Sequence, residues 1–495
     1  MVNRIMLRVI DASKYAYYSD FLRAIIFGLE VFAPGEAEDL PEVVIDYSEN
    51  GNGSLSVAVM AIGFHVEKIA SRMTFTSGDF LIYDVLSRES AITKAVKLAL
   101  ISVLAEAYGR TFSWGTLTGV RPTKVVHKLL DRGYCLDEIT DILQRLYRVD
   151  SIKAKIITDL SAIATRHKPT EIKSAALYVA IPYCPSKCNY CSFPSYVLKD
   201  GVIEKYLDAL CREIELVSQF TRSFLIDSIY IGGGTPAVLQ PQQVVMLFEK
   251  LRCFFHLSND CEITFEAGRS ELINGELLAA CHDSGVGRIS VNPQTIHEKT
   301  LVKISRPGGR YETDKAVELV RTSKIPILNM DLIAGLPGES VQDYRESLEY
   351  LLEKQPENIT VHALALKRAS KFVSEHMQLD CPGEDDVAKM FAITTQKLAD
   401  AGYMPYYMYR QKHMPGDQEN MGYCLNGFES IYNINMIEDW QTIIGLGAGA
   451  ATKILSSDGL FRRSYNPKDP IMYMNELMQR MDARHQLFDP DYERR

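Results

Sequence analysis

The stretch Leu177-Tyr-Val-Ala-Ile-Pro-Tyr-Cys184-Pro-Ser-Lys-Cys188-Asn-Tyr-Cys191 decides how this 495-residue chain is read. A β-rich apolar run, Leu177–Pro182, delivers three cysteines into one loop, spaced by three and then two residues. Three thiolates are one short of a closed structural zinc site, and no second Cys-x-x-Cys follows downstream. A cubane iron–sulfur cluster held by three thiolates keeps one iron open to a further ligand, which is what a cluster that performs chemistry needs. Zinc remains the second metal, and three buried apolar cysteines are the reading without chemistry.

Outward from this loop the pattern repeats. Short β-type runs at Ser228–Ile231, Glu262–Glu266, Arg288–Val291, Ile327–Ile333 and Ile359–Leu364 alternate with amphipathic helices. Ile203, Leu207, Leu210, Ile214 and Val217 recur at helical spacing, and Ser340 with Asp343 forms a capping box. Six βα units predict an α/β fold with a parallel sheet, as an open barrel or a doubly wound sheet; both place function at the strands' C-terminal ends. Residues 171–380 are the expected core. Residues 1–170 read as an α+β extension of unassigned role, with strands at Glu42–Tyr47 and Ser54–Met60, helices over Arg88–Tyr108 and Val125–Leu146, and Thr118–Lys124 as a loop opening a helix. His167–Pro169 marks the linker. Residues 381–495, opening on a helix near Asp385–Ala401, read as a small C-terminal domain expected to cover the substrate site.

A net charge of -9 and pI near 5.7 argue against a nucleic-acid partner. Arg23 and Glu30, and Lys97 and Glu106, interrupt the longest apolar stretches, so no membrane span is expected. No secretory signal is read at the N-terminus, which predicts a cytoplasmic protein whose ten cysteines are reduced.

One βα unit after the cysteines, Tyr230-Ile-Gly-Gly-Gly-Thr-Pro236 ends a strand in three glycines, where backbone can closely approach a cofactor. Cys-x-x-x-Cys-x-x-Cys after a first strand, this glycine turn and six βα units together resemble the radical S-adenosylmethionine (SAM) superfamily. The resemblance implies a partial (β/α)6 barrel, a 4Fe-4S cluster on Cys184, Cys188 and Cys191, and SAM on the open iron. It places Gly233, Gly234 and Thr235 at the methionine amino group, Glu266, Gln294, Arg306 and Asp331 as cofactor contacts, and Tyr178, Tyr190, Ala365 and Met408 beside it. Each of these is also open to a plainer reading as a polar loop residue or a core side chain.

Over nearly the whole chain the sequence is similar to the long form of oxygen-independent coproporphyrinogen III oxidase, or coproporphyrinogen dehydrogenase. The matching segments include Leu117–Lys124, Glu266-Ala-Gly-Arg269, Ile289–Thr295, Val361–Ser370, Pro405–Lys412 and Ile444–Ala450. Ala180 stands where shorter oxidases carry histidine, Ser192-Phe193 where they carry a fourth cysteine, and Glu266 lacks their Asn-Pro. The resemblance implies a haem-biosynthetic oxidoreductase: a low-potential donor reduces the cluster, SAM yields a 5'-deoxyadenosyl radical, and two propionates of coproporphyrinogen III are decarboxylated to the vinyl groups of protoporphyrinogen IX. A tetracarboxylate tetrapyrrole calls for cations, with Lys367, Arg368, Arg410 and Lys412 as candidates and Tyr406, Tyr407 and Tyr409 as an apolar wall or core. The alternative is a haem- or porphyrin-handling member of the superfamily without this turnover.

Overall fold

The computed structural model describes residues 3–26, 29–37, 39–50, 54–64, 68–75, 88–119, 121–170, 173–411, 418–456 and 460–488. They form two compact units: Met1–Ala162 with Tyr409–Glu419, and Ile163–Met408 with Asn420–Arg495.

In the first unit, β1 (Arg4–Val9), β2 (Glu30–Phe32), β3 (Glu42–Glu49), β4 (Leu55–Ile62) and β5 (Lys68–Phe75) make one sheet in the order β2-β1-β3-β4-β5. β1 pairs in parallel with β2 and β3, and β3–β5 run antiparallel. Alternation in β4 buries Leu55, Val57, Val59 and Ala61 on one face, where they join Ile5, Leu7, Val43 and Ile45 under the helices Tyr15–Ile25 and Arg88–Tyr108. The single helix expected over Val125–Leu146 is two, Thr123–Leu130 and Leu136–Tyr147, because Gly133 takes φ +88° between them. Trp114 anchors the returning segment: its indole donates to Glu419 (3.2 Å), which also pairs with Lys153, and the Arg410 guanidinium lies 4.9 Å from the indole ring centroid.

The second unit is built on β6 (Ser174–Ile181), a small parallel pair β7 (Tyr183–Cys184) and β8 (Tyr196–Val197), then β9 (Leu225–Gly233), β10 (Leu257–Gly268), β11 (Arg288–Gln294), β12 (Ile327–Ala334) and β13 (Asn358–Ala363). All six expected strands form, and adjacent ones pair in parallel from β6 to β13. β14 (Met404–Tyr409), β15 (Asn420–Cys424), β16 (Thr442–Leu446), β17 (Ala451–Leu455) and β18 (Phe461–Tyr465) complete an 11-stranded sheet in the order β14-β15-β13-β12-β11-β10-β9-β6-β16-β17-β18. The residues after 381 therefore add strands to both edges of the barrel sheet. β16 lies parallel to β6 and is a seventh parallel strand. All seven residues of β11 are buried, as expected of a parallel strand covered on both faces.

A buried ion pair fastens β16 and its glycine turn to the barrel's outer helices. Glu213, on the helix Val202–Ser218, pairs with Arg484 of the terminal helix Pro470–Leu487. Its oxygens also accept from Gly447 N (2.6 Å), Asn466 Nδ2 (2.7 Å) and Tyr473 Oη (2.7 Å). Arg484 in turn donates to Gly445 O and Thr452 Oγ1. A buried carboxylate is tolerable only with such partners, and removing one leaves an uncompensated charge. Arg484→Leu is expected to destabilise the second unit by about 3 kcal/mol, read as an earlier urea transition, with Glu213→Gln in the same chain recovering part of the loss.

Candidate active site

The cysteine loop leaves β7 and returns in β8, with Cys184 opposite Val197. Main-chain bonds close it: Tyr196 N donates to Pro182 O (2.8 Å) and Leu198 N to Cys184 O (2.9 Å). Asn189 stitches its far side down, donating to Ile304 O and Lys303 O (2.9 Å each) and accepting from Phe372 N (3.1 Å). Cys184 and Cys188 are buried and Cys191 is half-buried.

Each sulfur environment has its own physics. Thr235 Oγ1 donates to Cys184 Sγ (3.2 Å), and Arg269 Nη2 to Cys188 Sγ (3.2 Å) and Ser186 O (2.8 Å). Arg306 reaches Cys188 Sγ at 3.7 Å while bonding Gly268 O and Asn292 O, so one guanidinium ties the ends of β10 and β11 to the loop. Burial pushes the Cys184 and Cys191 thiols up, the Thr235 hydroxyl partly opposing this at Cys184. A metal displaces such protons, and two adjacent guanidinium groups suit the negative charge of metal-bound thiolates. Among the described residues no three ligands are gathered about a single-ion position. Three thiols are one fewer than a closed zinc site uses and match a cubane that keeps one iron open, so this donor set suits the cluster better than zinc.

The glycine turn lies directly against the loop. Gly234 N donates to Ile181 O (2.7 Å) and Thr235 N to Tyr183 O (2.8 Å). A Cβ on Gly234 would stand 2.6 Å from Tyr183 O, and one on Gly232 would stand 2.8 Å from Glu266 Oε2. Gly233 adopts φ +110°. At the end of β11, Gln294 holds φ +69° at a register shift, and among the described residues its buried Oε1, like Asn292 Oδ1, has no hydrogen-bond partner. Buried polar atoms without partners cost free energy unless a ligand completes them. Both fit a polar molecule such as SAM.

Deeper between the strands sits a carboxylate pair. Asp331 on β12 accepts from Asn329 Nδ2 (2.8 Å) and stands 3.6 Å from His362 Nε2 on β13; His362 Nδ1 lies 3.2 Å from Asn420 Oδ1. Burial, with Asp331 adding to it, pushes Glu266 up to about 7. Burial opposes the charge on His362, but Asp331 and Asn420 outweigh it and raise its pKa. Tyr178, Tyr230 and Tyr432 stack as an aromatic floor, with Tyr230 and Tyr432 centroids 4.8 Å apart.

The residues expected at the cofactor all lie in this unit. Tyr178 is on β6, Tyr190 in the cysteine loop, Gly233, Gly234 and Thr235 at the end of β9, Glu266, Gln294 and Asp331 on β10 to β12, Arg306 after the helix Glu298–Lys303, Ala365 just past β13, and Met408 buried on β14. Lys367 and Arg368 are exposed past β13. Arg410 belongs to the first unit, where it is buried and donates to Leu117 O; Lys412 lies outside the described residues. Sequence reasoning passed over Arg269, Asn292 and His362. Arg269 sits inside a quoted motif, and a guanidinium one residue past a strand end facing a cysteine loop was the available signal.

Residues 178–351 match the Radical SAM superfamily. Fold, thiol loop and glycine turn thus define a radical SAM protein, a class that implies the 4Fe-4S cluster and SAM. The chain is 34% identical over 428 residues to the oxygen-independent coproporphyrinogen-III oxidase-like protein HemZ of Bacillus subtilis, covering 84% of this chain and 85% of that one. It belongs to this oxygen-independent coproporphyrinogen-III oxidase-like family. It is also 28% identical over 302 residues to the heme chaperone HemW of Escherichia coli, covering 60% of this chain and 75% of that one. The solved Escherichia coli coproporphyrinogen III oxidase, HemN, described as a radical SAM enzyme, superposes with a TM-score of 0.54 at 21% identity, covering 66% of this chain and 73% of that one, and so shares the fold. No helix among the described residues is long and apolar enough to cross a membrane.

The raised Glu266 gives a test on the apoprotein. A carboxyl held near 7 when folded and near its usual 4.5 when unfolded makes folding progressively less favourable as pH climbs between those values. Glu266→Gln removes the buried charge. At pH 8 the variant is expected to be more stable than the parent by about 1–2 kcal/mol, the difference vanishing at pH 4, as read by urea unfolding at the two pH values.

Proposed function

We propose that this protein is an oxidoreductase that decarboxylates two propionates of coproporphyrinogen III, without oxygen, to give protoporphyrinogen IX. The observation that carries this reading is the junction of the thiol loop with the glycine turn, in a chain related along 84% of its length to an oxidase-like protein.

Cys184, Cys188 and Cys191 would hold the cluster, which together with SAM would supply one-electron radical chemistry at this site. The chain's own residues position and protect. Arg269 and Arg306 balance the thiolate charge and hold the strand ends together. Gly232 and Gly234 let the end of β9 pack against Glu266 and Tyr183, where a Cβ would collide. Asn292 and Gln294 offer acceptors, while Glu266 and Asp331 offer carboxylates for an ammonium or ribose hydroxyls. The Tyr178–Tyr230–Tyr432 floor keeps water away from a site where a radical would otherwise be quenched. Lys367 and Arg368 are the cations assigned to substrate carboxylates, since Arg410 is committed to Leu117 and Trp114. Each propionate would give a β-hydrogen atom to a radical derived from SAM, then release carbon dioxide and pass one electron to an external one-electron acceptor, and so become a vinyl group.

The similarity to heme chaperones favours one other reading, haem handling on the same fold. Anaerobic reconstitution with SAM, dithionite and coproporphyrinogen III separates the two. Decarboxylation predicts 5'-deoxyadenosine together with vinyl porphyrin, at least a hundredfold above Cys188→Ala. Deoxyadenosine alone rejects the substrate; haem retained without either product supports haem handling.

A further inference from the structure

One polar group inside the barrel has no part in the chemistry above. His362 lies on β13, and each of its ring nitrogens faces an oxygen: Nε2 stands 3.6 Å from Asp331 Oδ2 on β12, and Nδ1 stands 3.2 Å from Asn420 Oδ1 on β15. The register explains this placement. Asp331 pairs with Thr360 and Ile333 with His362, so the imidazole sits one pleat beyond the carboxylate on the same face of the sheet. On the other side Val361 is opposite Met421, which brings Asn420 alongside His362. A ring with one proton donates to only one of two acceptors, whereas an imidazolium donates to both.

The second oxygen of Asp331 is held as well. Thr360 Oγ1 donates to Asn329 Oδ1 (3.2 Å), which turns that amide so that its Nδ2 donates to Asp331 Oδ1 (2.8 Å) and Ser290 Oγ (3.3 Å). Arg306 is engaged elsewhere, with Gly268 O, Asn292 O and the Cys188 sulfur. Burial opposes a charge on the His362 ring, and Asp331 from β12, Asn420 from β15 and Glu266 from β10 outweigh it and raise its pKa. Tyr230 on β9 bonds Glu266 instead.

We infer that His362 is a positioning residue for SAM: anchored by Asn420, its imidazolium holds the Asp331 carboxylate in the orientation in which it accepts from the cofactor. The inference deepens the radical SAM reading and rests on it. A carboxylate held by an amide on one oxygen and by a cation at the other has little freedom left to lose when a ligand arrives, and a contact of this kind acts through orientation rather than by touching the ligand. Asp331 and His362 then work as one unit, so removing either should cost most of what removing both costs.

Two measurements test this. On the apoprotein carrying labelled histidine, nuclear magnetic resonance follows the His362 ring, assigned by its loss in His362→Gln. Its pKa is expected above the ordinary 6.5 in the parent and lower by about one unit in Asp331→Asn. On the reconstituted full-length protein at neutral pH, equilibrium dialysis gives the Kd for SAM. His362→Gln is expected to weaken binding about tenfold, Asp331→Asn at least as much, and the double variant no more than about twofold beyond Asp331→Asn. Asn420→Ala leaves the ring but removes its anchor, and is expected to weaken binding about threefold. Losses that multiply in the double variant, parent-like affinity in His362→Gln or Asn420→Ala, or a ring whose pKa is not raised or ignores Asp331→Asn, overturn the proposal. Failure of the parent to bind SAM is a different result: it removes the radical SAM reading itself, even where the ring still answers Asp331→Asn.

Discussion

Tyr183 and Gly234 meet backbone to backbone, and the site follows from that contact. The end of β6 and the end of β9 approach so closely that a methyl group on Gly234 would stand 2.6 Å from Tyr183 O. The amides of Gly234 and Thr235 satisfy the carbonyls of Ile181 and Tyr183, and the Thr235 hydroxyl then falls on Cys184 Sγ. A parallel sheet brings neighbouring strand ends to one edge, but only glycine lets two of them touch. The thiol loop and the glycine cradle are thus a single rigid feature, braced from behind by Tyr206, whose hydroxyl donates to Ala180 O and accepts from Ala448 N beyond β16.

Around this joint the barrel interior is polar, at a cost. Burial and the neighbouring Asp331 oppose the charge on Glu266, and Asn292, Gln294 and the strained φ of Gln294 add to the cost. The surrounding structure over-determines these features: Arg306 ties two strand ends, and Arg288 lower in the barrel is held by Glu262, Asn358 and the carbonyls of Phe428 and Glu429. A positive φ and two unfilled acceptors at neighbouring positions of one strand are what a preorganised ligand site uses.

The parallel core was legible because its strands are apolar runs separated by amphipathic helices. The thiol loop was legible because spacing alone limits what three sulfurs can hold. β16 was not, since Thr442–Leu446 runs into glycines that disfavour strands. Those glycines are demanded by packing instead: a Cβ on Gly445 would meet Ala451 O at 2.4 Å, and one on Gly447 would meet Tyr206 Oη at 2.5 Å. Arg410 is a candidate substrate cation on charge alone, yet the chain leaves β14 at Tyr409 and Arg410 turns onto Trp114, a tertiary choice that no local pattern encodes. His362 was hidden for a related reason: only the sheet register places β13 beside Asp331 of β12.

The central claim is that Cys184, Cys188 and Cys191 hold a cluster with one iron left for SAM. Electron paramagnetic resonance of the anaerobically reconstituted, dithionite-reduced protein addresses it most directly. The account predicts about four irons per chain and a reduced-cluster signal whose g-values shift when SAM is added. A zinc-loaded protein without that signal, or a spectrum indifferent to SAM, would contradict it.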